Sequence, residues 1–88
     1  MLVNIGFENA VAAERVVAVV SAEPMPMRRL REAALRARKL VDATNGRRTR
    51  TIIITDSDHV ILSSLQPDTV AQRMHDRGGR RAPGPPDA

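Results

Sequence analysis

The sequence predicts an α+β subunit: a small antiparallel sheet of about five short strands, one main basic helix and a short C-terminal helix. Three observations carry that prediction. Aliphatic residues fall in short alternating or β-branched blocks at positions 2–5, 16–20, 51–55 and 59–63. One stretch instead repeats its apolar positions at helical spacing: Met27, Leu30, Ala33, Ala34, Ala37 and Val41. Turn-forming Gly, Pro, Asn and Asp stand between these blocks.

Leu2-Val3-Asn4-Ile5 alternates apolar and polar, the pattern of a half-buried strand, and Gly6 with Glu8-Asn9 supplies a turn or bulge. Residues 15–20 read as a second, deeply buried strand. Pro24 and Pro26 cannot continue a sheet, because proline donates no ladder hydrogen bond. Pro26 instead suits the first turn of a helix, where its missing N–H would have no partner anyway. The helix is expected over 27–39, with Arg28, Arg29, Arg31, Glu32, Arg36 and Lys39 around its polar side. A short strand at 40–43 precedes the turn Thr44-Asn45-Gly46. Strands 51–55 and 59–63, joined by Asp56-Ser57-Asp58, form a β-hairpin whose carboxylates accept turn N–H groups. Pro67-Asp68-Thr69 opens a short helix ending at Met74 or His75. Residues 1–77 make a single domain; residues 78–88, with three glycines and three prolines and no apolar periodicity, read as a disordered tail dispensable for folding.

Eighty-eight residues with one aromatic side chain, Phe7, give a marginal core. Residues 16–20 and 52–54 are apolar on both faces, and one helix covers only one face. Self-association into a closed homo-oligomer is the expected remedy; two-sided burial inside the monomer is the alternative.

Composition excludes several functions. The chain has no cysteine, which removes disulfides, thiol catalysis and zinc-finger spacing and fits a cytoplasmic protein. No apolar run approaches a membrane span, and the N-terminus lacks a signal-peptide pattern. Without Trp or Tyr the stacking platforms of most single-strand and RNA-binding modules are missing. Asp56-Ser57-Asp58-His59 contains acid, hydroxyl and imidazole, but four neighbours in a tight turn cannot converge on one substrate, so no enzyme is predicted. No second ligand cluster accompanies it, so no metal is expected, and the absence of a phosphate-binding glycine loop implies no cofactor.

Charge is more informative. The formal charge is +4, and thirteen of the fourteen basic residues are arginine. GC-rich coding also favours arginine, so distribution matters more than number. Residues 28–50 hold nine basic and two acidic side chains, a net +7, while the rest of the chain is net −3. Within that stretch Thr44-Asn45-Gly46-Arg47-Arg48-Thr49-Arg50 packs three guanidiniums into four positions. At separations of about 6–8 Å each pair repels by roughly 0.5–0.7 kcal/mol in water, and more where water is excluded. Such a cluster is exposed or meets an anion. On entry to a strand Arg48 and Arg50 share one side and Arg47 and Thr49 the other. Gly46 admits close backbone approach, and the Thr44 and Thr49 hydroxyls offer further phosphate hydrogen bonds. A solvated charged loop is the plainer alternative, but the basic helix just upstream favours anion binding. That helix has too shallow an alanine face for membrane insertion. Arg15 is a third candidate, with an ion pair to a neighbouring subunit's acid as its alternative role.

These residues resemble the RemA-like bacterial regulators of extracellular-matrix genes. The resemblance spans about residues 1–75. It rests on Asn4-Ile5-Gly6-Phe7, Arg15 with 16–20, Pro26 before the basic helix, and Asp42-Ala43-Thr44. It continues through Gly46-Arg47-Arg48-Thr49-Arg50, Thr55-Asp56-Ser57-Asp58-His59-Val60-Ile61-Leu62-Ser63, and Gln66-Pro67 with Thr69-Val70-Ala71. Glu8, Asn45 and Glu23-Pro24-Met25 depart from the pattern, Asn45 standing where a tyrosine is expected. The resemblance implies an α+β subunit assembling into a ring that turns its arginines toward double-stranded DNA and regulates transcription in the nucleoid. It carries over Arg47 and Arg48 as DNA contacts and implicates Arg15; Arg50 is added by adjacency. The competing expectation is an RNA-associated or purely structural homo-oligomer whose arginines serve subunit contacts.

Overall fold

Six strands in two sheets and two helices make up the computed structural model, which describes residues 1–23 and 25–79. β1 (Leu2–Gly6) and β2 (Asn9–Ala12) form an antiparallel hairpin pairing Val3 with Val11 and Asn4 with Ala10. Val3 and Ile5 face inward while Leu2 and Asn4 face solvent, as the alternation predicts. The return strand β2 is absent from the sequence expectation. Asn-Ala-Val-Ala carries one large apolar side chain, Val11, and its weak β-propensity is overridden by pairing with β1.

After a 3-10 turn at Ala13–Arg15, β3 (Val16–Ser21) leads to α1 (Met25–Arg36), β4 (Leu40–Asp42), β5 (Thr51–Thr55), β6 (Val60–Ser63) and α2 (Pro67–Gly79). The second sheet has the order β3-β5-β6-β4, antiparallel except that β4 runs parallel to β6. The expected single antiparallel sheet of about five strands is therefore corrected to a two-stranded and a mixed four-stranded sheet. Parallel pairing of a three-residue strand depends on a remote partner and leaves no local pattern.

Both faces of the larger sheet are covered within the one chain at its central strands, β5 and β6. Toward α1 lie Ile52, Val60 and Leu62, with Ala34 buried among them and Met27 and Leu30 against them. Ile53 and Ile61 face the other way and join Val3, Ile5, Val11, Ala43 and Val70, so the β1–β2 hairpin and α2 close that side. Ile52 and Ile53 are both fully buried, each contributing roughly 1.5–3 kcal/mol by leaving water. Two-faced burial of 52–54 is thus satisfied inside one chain, because α2 and the hairpin supply the second layer. β3 differs from expectation in the opposite sense. It is a sheet edge rather than a deeply buried strand, with a bulge between Val16 and Ala18 and Val17 65% exposed.

α1 ends three residues earlier than the expected 39. The Lys39 N–H donates to Ala34 O (2.8 Å) and the Arg38 N–H to Leu35 O (3.1 Å), while Arg38 takes φ +61°. This is the Schellman stop, with arginine in the position usually given to glycine. Arg38 and Lys39 therefore leave the helix, and Lys39 Nζ donates to Ser57 O at 2.9 Å. α2 runs four residues beyond His75 and takes in the first two positions of the expected tail; residues 80–88 lie outside the described residues. No helix among the described residues is long and apolar enough to cross a membrane.

Candidate nucleic-acid interface

The arginine loop is built on a tight turn. Arg47 N–H donates to Thr44 O (3.0 Å), and Asn45 and Gly46 between them have φ +53° and +79°. Positive φ at both central positions is the type I′ arrangement, for which Asn-Gly is the preferred pair. A Cβ on Gly46 would meet nothing within 4 Å, so its requirement here is conformational. Thr44 is buried, and its Oγ1–H (2.6 Å) and N–H (2.9 Å) both donate to Asp42 Oδ1. These two bonds, the hydroxyl first, hold the Asp42 carboxyl below its ordinary pKa against the opposing effect of burial, with help from the Arg31 charge. Thr44 is consequently committed to the turn, which corrects the expectation that its hydroxyl serves phosphate.

From this base the three guanidiniums are displayed to solvent. Arg47 leans over the Phe7 ring, its Cζ 5.5 Å from the centroid. Arg48 Nη2 reaches Glu23 Oε2 at 3.4 Å in the opposite direction, toward the link between β3 and α1. That divergence follows the alternation expected of an extended segment. Both partners of the Arg48–Glu23 pair are about 70% exposed, so the contact is worth roughly 0–1 kcal/mol. Arg50 is fixed through its main chain, donating to Ser63 O (2.9 Å) and accepting from Ala22 N–H (3.1 Å). Among the described residues neither Arg47 nor Arg50 makes an ion pair.

Arg15 lies elsewhere. Its Nε donates to Asp56 Oδ1 at 2.9 Å, and its carbonyl accepts from Asp56 N–H. This is the far end of the β3–β5 ladder, where Asp56 stands six residues from Arg50 and so roughly 20 Å along the strand. The structure thus gathers Arg47, Arg48 and Arg50 and leaves Arg15 apart. The acid it meets belongs to its own chain.

The acid–hydroxyl–imidazole group of 56–59 is a turn. Thr55 Oγ1 accepts from His59 N–H (3.1 Å) and contacts Ser57 Oγ (3.0 Å), which in turn meets His59 Nδ1 (2.7 Å). Hydroxyls rather than carboxylates thus brace it, and β6 begins at Val60, one residue later than expected. No group of three or more His, Asp or Glu among the described residues is arranged to hold a metal ion.

One feature of this region escapes sequence reasoning: the tip of the β1–β2 hairpin stands beside the arginine loop. Gly6, Phe7 and Glu8 all have positive φ (+108°, +53°, +65°), and Phe7 is 44% exposed. Asn9 Nδ2 donates to the Gly6 and Phe7 carbonyls, and Asn4 Oδ1 accepts from Gly6 N–H. A shallow cleft of about 340 Å³ separates the tip from the turn, lined by Phe7, Glu8, Asn9, Asp42, Ala43 and Asn45. The available signal is Gly6-Phe7-Glu8-Asn9 itself, a turn sequence carrying the chain's one aromatic.

Known proteins agree with the resemblance. The RemA-like model, described as extracellular matrix regulatory protein A-like, matches residues 2–74. A protein of Syntrophobacter fumaroxidans named "Putative regulatory protein" is 60% identical over 80 residues, covering 91% of this chain and 85% of its own length. Proteins of the same designation from Shouchella clausii and Thermotoga maritima are each 57% identical. Their alignments span 74 and 73 residues, or 84% and 83% of this chain and 85% and 79% of theirs. The turn, the arginine loop and the strands that carry them all fall inside the matched region, and the chain belongs to the RemA-like family of regulatory proteins.

Proposed function

We propose that this chain is a double-stranded-DNA-binding regulator of transcription, acting in the nucleoid on genes of the extracellular-matrix type as a closed homo-oligomeric ring. The observation that carries this reading is the exposed trio Arg47, Arg48 and Arg50 on a rigid turn, none of them neutralised by more than one solvent-exposed carboxylate. Planar guanidiniums fixed at their base fit phosphate and groove edges bidentately. One subunit offers few such contacts and binds weakly. A ring repeats them at fixed intervals, so each further contact on the same duplex forms at high effective concentration.

Assembly is supported by what the subunit leaves open. β3 and β4 are the two free edges of the four-stranded sheet, with Val17 exposed on one, and Val41 on the other, 45% exposed. Two different unsatisfied edges suit head-to-tail association, which closes into a ring when the rotation permits. Sequence preference comes from shape, through arginine in narrow minor grooves, rather than from a recognition helix. Arg15 contributes from the other end of the ladder, its Nη groups free to take phosphate while Nε holds Asp56.

The test is paired. Arg48→Ala weakens duplex binding and flattens the plot of log affinity against log salt by about 0.9 for each phosphate that is no longer neutralised. The mass of the particle stays the same, since an exposed, screened charge contributes little to assembly. Intact binding with a collapsed mass transfers these arginines to subunit contacts and refutes the proposal. Tighter binding of RNA than of duplex DNA does the same in favour of the RNA-associated alternative.

A further inference from the structure

We infer that Phe7 is itself a DNA-contacting residue, an apolar wedge that enters the minor groove beside Arg47. The inference rests on the duplex-binding reading above and adds to it the tip of the β1–β2 hairpin. Three independent observations meet there. The chain's one aromatic side chain is 44% exposed although two hydrophobic clusters are available to bury it. Its turn holds two consecutive non-glycine residues, Phe7 and Glu8, in the left-handed region, a conformation costing about 1–2 kcal/mol per residue. Strain of this kind persists only where the surroundings over-determine it. Here Asn9 and Asn4 grip the turn, and Arg73 Nη1 from α2 donates to the Asn4 carbonyl at 3.1 Å. The third observation is the ring's neighbour: the Arg47 guanidinium lies 5.5 Å from its centroid, joining the hairpin tip to the arginine loop.

A phenyl ring held at an exposed hairpin tip with an arginine beside it matches the way minor-groove proteins engage duplexes. There the cation follows the negative potential of the groove while an apolar side chain parts or abuts a base step. The cation–π contact keeps ring and guanidinium in one orientation before binding, so docking costs less side-chain freedom. The absence of other aromatics is no obstacle, because a wedge needs one side chain per subunit and reads deformability rather than base identity.

The chain has no Trp or Tyr, so Phe7→Trp introduces a single fluorophore at the tip. Titration of that variant with a fluorescein-labelled A·T-rich duplex reads binding by label anisotropy and tip contact by indole emission. The expected result is quenched emission and reduced acrylamide access in step with the anisotropy. Binding with unchanged emission and access overturns the wedge while leaving the regulator reading intact. Wild-type protein that fails to bind the duplex at all refutes the regulator reading, and this inference with it. Phe7→Ala separates the remaining alternatives. Removal of a wedge gives at least about fivefold weaker binding with an unaltered salt slope, since the ring releases no counterions. A changed slope means that Phe7 serves only to position Arg47, and a reduced particle mass assigns the ring to a subunit contact; either overturns the inference. Phe7→Leu, which keeps an apolar tip, retains part of the affinity.

Discussion

Ser63 fastens the N-terminal hairpin to the central sheet, and its removal gives a defined loss of stability. Its side chain is fully buried; Oγ–H donates to Ile5 O at 2.8 Å, and Oγ accepts from Leu65 N–H at 3.1 Å. Ser63→Ala keeps the volume nearly constant but removes a donor and an acceptor together. A buried polar group left without its partner costs about 1–3 kcal/mol. Ile5 is completely buried, so its carbonyl bears that cost in full; Leu65 is half-buried, and its N–H recovers part of it from water. The sum is about 2–4 kcal/mol, a large share of the roughly 4–13 kcal/mol expected of a chain this long. A domain of this size loses about 4–8 °C per kcal/mol, so Tm falls by roughly 10 °C or more. Urea unfolding at one fixed protein concentration is the appropriate assay, because it keeps the proposed self-association from shifting the midpoints between variants. Ser64→Ala, one residue along and half-buried, is the control and stays within about 0.5 kcal/mol. A Ser63→Ala loss no larger than the control's refutes the reasoning that these two bonds hold the hairpin.

Two further predictions concern the segments that flank and carry the arginine loop. Arg38 occupies the left-handed stop of α1, so Arg38→Gly removes backbone strain and raises the urea midpoint, with a gain of up to about 1 kcal/mol; a lowered midpoint contradicts the Schellman assignment. Asp42 has a lowered folded pKa, caused first by the Thr44 hydroxyl, so its contribution is complete above the unfolded value near 4 and is lost as pH falls through the folded value. Thr44→Val therefore makes the acid limb of the stability profile shallower, and an unchanged limb below about pH 4 argues against that bond.

Much of this architecture is legible because local chemistry dictates it. Proline at the start of α1, alternation in β1, the Ile and Val blocks of β5 and β6, and Pro67 opening α2 each act within a few residues. What escapes depends on partners far along the chain. β2 exists because β1 lies beside it, and β4 pairs with β6 although the arginine loop and β5 separate them along the chain. The second cover of the sheet is hidden because α2 reads as a short polar helix, although Val70 and Met74 give it an apolar stripe. The site divides the same way. Three arginines in four residues announce themselves, whereas Phe7 beside Arg47 and Asp56 beside Arg15 join residues 40 and 41 positions apart. The burial of Thr44 is equally hidden, since an exposed and a buried threonine look alike in a turn sequence.

The neighbours of the arginines explain how the loop can be ordered without being neutralised. Arg47 rests on a ring, Arg48 on one exposed carboxylate, and Arg50 on its own main chain. None of these supports approaches the roughly 1.5–3 kcal/mol of a hydrogen bond to a charged group. On the proposed duplex-binding reading, each guanidinium would exchange a weak contact for a stronger one at a phosphate, the entropy of holding the side chain having been met in part beforehand. Glu23 would matter most in that exchange, because among the described residues it is the acid paired with a loop arginine, and its release would make Arg48 fully available. Arg15 is held differently, by a 2.9 Å bond from Nε to Asp56, with its side chain still 64% exposed. On that same reading, a duplex lying along the β3–β5 ladder would meet a cation at each end, roughly 20 Å apart. In the proposed ring, the next subunit's loop would continue the series and turn a weak single contact into a track for the phosphate backbone.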